Sequence, residues 1–253
     1  MMEQNMAGWV SPDYTVSRAV TLDRERMAAN RCVAADPQSQ QIECYRVLRT
    51  RILHRTARKG GNTVMITSAA PGEGKTLTSI NLALTFAKGF GQTVLLVDAD
   101  LRMQNIHEIL GYKSGKGLVE HLLDGCPVSE LMVWPRIEKL TVISGGRTIG
   151  ESSELLGSPG MATLVEEMKN RYPDRNVLFD APPVLACADA TCLAPLVDHI
   201  VFVVEADRTS ARDVERALNL LPKEKILGLV LNRHKPTKKE STYYYYPKYY
   251  YKK

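Results

Sequence analysis

The chain is expected to fold as an α/β protein, a mostly parallel sheet with helices on both faces, and three observations carry that expectation. Beyond Gly60, short β-branched runs alternate with longer helical patterns. The runs are apolar throughout instead of alternating with polar residues, which is the pattern of strands buried on both faces. A length of 253 residues with 44% hydrophobic content suits one globular domain with a sizeable core.

Taken in chain order, residues 1 to about 38 show no sustained period and run into "DPQSQ". They read as a loosely ordered lead-in, with "VTLDRERMAAN" able to make a short helix. A helix is predicted from Ser39, as N-cap, to about Thr56, because Tyr45, Leu48 and Ile52 recur at helical spacing and build one buried stripe. Glu43, Arg46 and Arg49 advance by threes along a neighbouring face. Strands follow at "TVMITS", "TVLLVDAD", "LTVIS", "NVLFD", "HIVFVVE" and "ILGLVLN". Helices are predicted near Lys75 to Ala87, Gly117 to Leu123, Ser153 to Lys169 and Ser210 to Leu221. The domain so defined spans residues 39–236. Residues 237–253 form a flexible tail holding seven tyrosines: Tyr243, Tyr244, Tyr245, Tyr246, Tyr249, Tyr250 and Tyr251.

Composition argues against several classes. The apolar runs fall far short of the roughly 20 residues of a membrane span. The polar, partly acidic N-terminus lacks the basic start and apolar stretch of a secretory signal. Five cysteines without a CxxC pair suggest neither a disulfide framework nor a zinc site, and they fit a reducing cytoplasm. From Arg233 to Lys253 seven basic residues face Glu240 alone, a net +6, which leaves −1 for the rest of a chain of net +5. The basic balance thus belongs to the tail and implies no nucleic-acid surface on the folded part.

The first strand after Gly60 runs straight into "SAAPGEGKTLTSINLALTFA". A small-residue loop between a strand and an amphipathic helix is the setting of a phosphate-binding loop, and it makes this a P-loop NTPase fold. Pro71, Gly72, Glu73, Gly74, Lys75, Thr76 and Leu77 are its nucleotide-contacting residues. Backbone N–H groups converge on the anion, Lys75 reaches the outer phosphates, and the Thr76 hydroxyl ligates magnesium. Ala69 stands where the usual GxxxxGK[ST] pattern has its first glycine.

The next strand ends "VLLVDADLR", which puts Asp98, Asp100 and Arg102 at its carboxyl end, and a later one ends "VLFDAPP", which brings Asp180 to the same edge. Carboxylates gathered there demand a cation, and magnesium held by Thr76, Asp98 and Asp180 meets that demand. The alternative for Asp98 or Asp100 alone is a helix cap. ATP and Mg2+ are therefore the expected cofactors. The tail tyrosines are candidate phosphoryl acceptors, because phosphoryl transfer depends more on positioning and charge stabilisation than on a strong base. Asp98 is the candidate to take the phenol proton.

Together the loop ending Gly74-Lys75-Thr76, "VLLVDADLR", "VLFDAPP", the spacing Glu43-x-x-Arg46-x-x-Arg49 and the tyrosine cluster resemble the bacterial tyrosine kinases, the autokinases that accompany exopolysaccharide and capsule synthesis. The resemblance implies nucleotide and metal roles for Lys75, Thr76, Asp98, Asp100 and Asp180, with a weaker one for Arg102. It implies a catalytic role for Lys75 and the three aspartates, and phosphorylation of one subunit's tail by the next. Glu43, Arg46 and Arg49 would then pack subunits into a homo-oligomeric ring. A membrane activator of the polysaccharide co-polymerase type and a tyrosine phosphatase are the implied partners, with the chain cytoplasmic and peripheral to the inner membrane through that activator. Asn232 follows the last strand where related folds read the adenine.

Two other readings compete. A ParA- or MinD-like switch ATPase shares the fold but carries a second lysine where this chain has Ala70. A module binding anionic lipid or nucleic acid through its lysine- and tyrosine-rich tail would leave a complete phosphate site unexplained.

Overall fold

A computed structural model describes residues 17–235 except 37, 38, 40 and 173. The tyrosine cluster and the tail expected over 237–253 lie outside the described residues. The strands are β1 (Arg18–Ala19), β2 (Thr63–Ser68), β3 (Thr93–Asp98), β4 (Met132–Trp134), β5 (Leu140–Ile143), β6 (Arg175–Asp180), β7 (His199–Glu205) and β8 (Ile226–Asn232). They form one sheet in the order β1-β4-β5-β3-β6-β2-β7-β8, parallel at every pairing except β4 with β5. The helices are α1 (Arg24–Ala29), α2 (Ile42–Lys59), α3 (Lys75–Ala87), α4 (Ile106–Leu110), α5 (Leu118–Asp124), α6 (Val128–Leu131), α7 (Ser152–Leu156), α8 (Pro159–Asn170), α9 (Asp189–Leu193) and α10 (Ala211–Asn219).

Alternation along the central strands divides the core into two layers. Met65, Leu95, Val97, Phe179 and Phe202 point to one face, where they meet α8 and α9 through Leu164, Val165 and Leu193. Val64, Ile66, Leu96, Leu178 and Val203 point to the other, against α2 and α3 through Ile52, Ile80 and Phe86. A sheet covered on both faces needs strands that are apolar on both, which is why the central runs read as unbroken.

The departures from expectation have local causes. Residues 17–36 are not a loose lead-in: α1 is capped by Asp23, whose side chain accepts from Arg26 N, and Met27, Cys32 and Ala34 are buried in the α3 layer. Asn81 Oδ1 accepts from Ala34 N at 2.9 Å and Lys88 Nζ donates to Ala34 O at 2.6 Å, so side-chain bonds to the backbone fasten a segment too short to show a period. The helix expected from Ser39 begins at Ile42, and its cap residue Gln41 makes no side-chain cap bond. The single helix expected from Ser153 to Lys169 is two, because Gly157 ends α7 and Ser158 starts α8, its hydroxyl accepting from Met161 N with Pro159 in the first turn.

Candidate active site

The carboxyl ends of β2, β3 and β6 meet at one edge of the sheet, and the groups expected to carry the chemistry are there. The loop between β2 and α3 turns through Gly72 and Gly74, with φ of 84° and 92°. Gly74 is required twice over, since a Cβ at this position would also overlap Asn232 Nδ2. Ala69, in place of the motif's first glycine, is fully buried and has no positive φ, so an alanine fits.

Lys75 opens α3 and is buried, with its Nζ 2.8 Å from Asp100 Oδ2, 3.8 Å from Asp180 Oδ2 and 3.2 Å from Thr76 Oγ1. Asp98 and Asp180 are opposite each other in the β3–β6 register. Asp98 is 0% exposed; its Oδ1 accepts from Asp100 N at 3.3 Å and its Oδ2 from Ile106 N at 3.2 Å, which ties down the turn after β3. Asp180 Oδ1 accepts from the Ser79 hydroxyl at 2.9 Å, while its buried Oδ2 has no hydrogen-bond partner.

Charge is therefore concentrated and water excluded. Burial, with Asp180 close by, pushes the Asp98 carboxyl well above the usual carboxylate range. Burial also raises Asp180, outweighing the Lys75 charge and the hydroxyls of Thr76 and Ser79. For Lys75 burial works against the charge, but Asp180, Asp100 and Asp98 overcome it and hold its pKa above the ordinary lysine value.

Residues 64–246 match the CobQ/CobB/MinD/ParA nucleotide binding domain family. Over 215 residues the chain is 36% identical to tyrosine-protein kinase YwqD of Bacillus subtilis (strain 168), covering 84% of this chain and 90% of that one. The chain belongs to the bacterial tyrosine kinase family. The kinase domain of Escherichia coli tyrosine kinase ETK superposes with a TM-score of 0.74 at 26% identity, covering 90% of this chain and 93% of that one. Over 209 residues the chain is 32% identical to the succinoglycan biosynthesis transport protein ExoP of Rhizobium meliloti (strain 1021), spanning 81% of this chain but 26% of that longer protein.

In this bacterial tyrosine kinase the remaining expected residues divide. Asn232 is at the site, its Nδ2 donating to Glu73 O at 2.8 Å. Pro71 and Gly72 are exposed at the loop's crest, and Leu77 turns its side chain toward the α3 layer, so it can offer only its backbone N–H. The Glu73 carboxylate faces inward and braces the loop. Arg102 is turned aside, its Nε donating to Ser152 Oγ at 2.8 Å and lying 3.4 Å from Asp189 Oδ2.

On α2, Arg46 pairs with Glu43 of its own helix at 3.1 Å, and Arg49 Nη1 donates to Thr85 O at 2.8 Å. Sequence reasoning missed Ser79, although its place one helical turn beyond Lys75 was a usable signal. It also missed Thr209, which reaches the phosphate loop from the turn after β7, and Asp189, which opens α9 and holds Arg102 aside. Among the described residues no helix is long and apolar enough to cross a membrane.

Proposed function

We propose that this kinase transfers the γ-phosphoryl group of ATP to tyrosine hydroxyls, with Tyr243–Tyr246 and Tyr249–Tyr251 of a neighbouring copy as its principal acceptors. The observation that carries the proposal is Lys75, buried at the head of α3 and held against Asp100 and Asp180. A cation so placed exchanges carboxylate for phosphate partners when nucleotide enters, without new burial of charge. Asp180 Oδ2, which faces Lys75 at 3.8 Å without a hydrogen bond, and the Thr76 hydroxyl fit a magnesium ion. Among the described residues no three His, Cys, Asp or Glu side chains make a metal cage by themselves. Bound there, magnesium would neutralise charge on the phosphate oxygens.

Transfer breaks the bond from the γ-phosphorus to the β-bridging oxygen and forms one to the phenol oxygen. Asp98 takes the phenol proton once the turn over residues 99–105 lifts from it. Burial, with Asp180 close by, raises its pKa, so the ionised carboxylate is a stronger base than a free aspartate. The loop N–H groups and Lys75 hold the phosphates in line. The process served is exopolysaccharide or capsule synthesis, with a membrane co-polymerase as activator and a phosphatase resetting the tail. The likeness to ExoP, a succinoglycan biosynthesis transport protein, supports the polysaccharide part of this reading.

The test is to mix Lys75→Met chains that keep the tail with active chains truncated after Lys239, supply labelled ATP and magnesium, and locate the label. Phosphate on the tyrosines of the Lys75→Met chain is expected. Labelled wild type beside an unlabelled mixture would mean each chain modifies only itself. ATP turnover with clean tyrosines, even with the activator present, would leave a switch ATPase.

A further inference from the structure

The turn between β7 and α10 reaches across to the phosphate loop. Glu73 sits within that loop, and a carboxylate beside a polyphosphate is electrostatically unfavourable. Yet Glu73 is only 3% exposed, and both its oxygens are taken. Oε2 accepts from Ala70 N at 3.0 Å, and Oε1 accepts from the Thr209 hydroxyl. Thr209 is itself fixed by two bonds to the Glu205 backbone: its Oγ1 accepts from Glu205 N at 3.1 Å and its N donates to Glu205 O at 3.1 Å. The turn that brings it back passes through Asp207 at φ 59°, a left-handed conformation that a non-glycine residue adopts only where the surroundings hold it. On the opposite side Asn232 Nδ2 holds the Glu73 carbonyl.

We infer that Thr209 is a positioning residue for nucleotide binding: its hydroxyl keeps the Glu73 carboxylate turned inward, so that the loop presents N–H groups and no negative charge to the phosphates. This rests on the loop being the nucleotide site. Without the hydroxyl, a buried carboxylate is one donor short and gains by turning to solvent, on the side where Pro71 and Gly72 are exposed. That side is where the phosphates bind.

The experiment is calorimetric titration of the full chain with ATP and with ADP, beside steady-state phosphorylation. Thr209→Val is expected to weaken both nucleotides about tenfold and to raise KM for ATP far more than it changes kcat. Thr209→Ser, which keeps the hydroxyl, is expected to bind like wild type. Combining Thr209→Val with Glu73→Gln should lose less affinity than the two single losses together, because an outward amide does not repel phosphate. Wild-type affinity in Thr209→Val, or strictly additive losses in the double variant, would overturn the inference. If Thr209→Val does not fold, Thr209→Ala carries the same comparison. A wild-type chain that binds no nucleotide would instead overturn the reading of the loop, and the inference with it.

Discussion

Asp98 and Asp180 face each other across β3 and β6, both shut away from solvent, with one lysine to serve them and Asp100. Two neighbouring buried carboxylates resist ionising together, and both have raised pKa values. A carboxyl whose pKa is higher folded than unfolded contributes stability that is fully present below about pH 4 and is lost as pH rises through the folded value. Asp180→Asn should therefore melt above wild type by about 2–4 °C at pH 8 in the absence of nucleotide, with a smaller advantage at pH 5. Thermal unfolding at both pH values checks this, and an advantage that shrinks toward pH 8 would refute it. The same variant should lose phosphorylation by at least about a hundredfold.

Lys75→Met removes the cation from that cluster. Beyond abolishing transfer, it should lower the stability of the nucleotide-free protein by about 3 kcal/mol at pH 8, since the carboxylates are left buried and uncompensated. Urea unfolding at pH 8 and pH 5 measures it, with the smaller loss expected at pH 5, where more of the raised carboxyls are already protonated. A variant as stable as wild type at pH 8 would show that the cluster is not charged before nucleotide arrives.

Gly72 and Gly74 share a left-handed φ but differ in the space around them. A Cβ at Gly72 would have Arg208 Nη1 as its nearest neighbour at 3.7 Å, whereas one at Gly74 would overlap Asn232. Gly72→Ala is expected to cost about 1 kcal/mol of stability and to lose less nucleotide affinity than Gly74→Ala. Gly74→Ala should displace Asn232 and lose affinity more than about tenfold. Equal effects in a titration would place the constraint in backbone conformation alone.

Asp198 joins two strands at the end of the sheet away from the nucleotide. It accepts from Asn62 N at 3.0 Å, Thr63 N at 3.2 Å, Thr63 Oγ1 at 2.8 Å and Lys169 Nζ at 2.5 Å. Burial works to raise its pKa, but Lys169, Thr63 and Asn62 outweigh that and lower it. A depressed carboxyl stabilises above its unfolded pKa and loses that contribution as pH falls through the folded one. Asp198→Asn should cost about 2 kcal/mol at pH 7, and the gap to wild type should close below pH 4. Unfolding curves across that range test the sign.

Arg46 and Arg49, three residues apart, should separate assembly from folding. Arg46 makes an exposed pair, so Arg46→Ala should change monomer stability by less than about 0.5 kcal/mol while reducing oligomer size in light scattering. Arg49 ties α2 to α3 through Thr85 O, and Arg49→Ala should cost about 1 kcal/mol as well. An Arg46→Ala chain of unchanged size would remove α2 from the subunit contact.

The central strands were legible because each is apolar on both faces, and β2, β7 and β8 begin and end at the residues expected. The loop between β2 and α3 was legible because its glycines, lysine and threonine are neighbours in the chain. β4 was not, since a strand of three residues, two of them paired antiparallel with β5, shows no period. Nor was the attachment of residues 17–36, which depends on the burial of Met27, Cys32 and Ala34 and on a few bonds such as those from Asn81 and Lys88.

By itself the sequence determined the α/β class, the gathering of Lys75, Asp98, Asp100 and Asp180 at the carboxyl ends of β2, β3 and β6, and a family whose motifs are local in the chain. Local motifs survive in sequence because their residues must occupy neighbouring backbone positions. Only the tertiary structure decided that Asp98 and Asp180 face each other, that Arg102 is turned toward Asp189, and that Thr209 holds Glu73 inward across 136 positions of chain. Those contacts depend on strand order and on the course of a single turn, and neither leaves a periodic trace in the residues that make them.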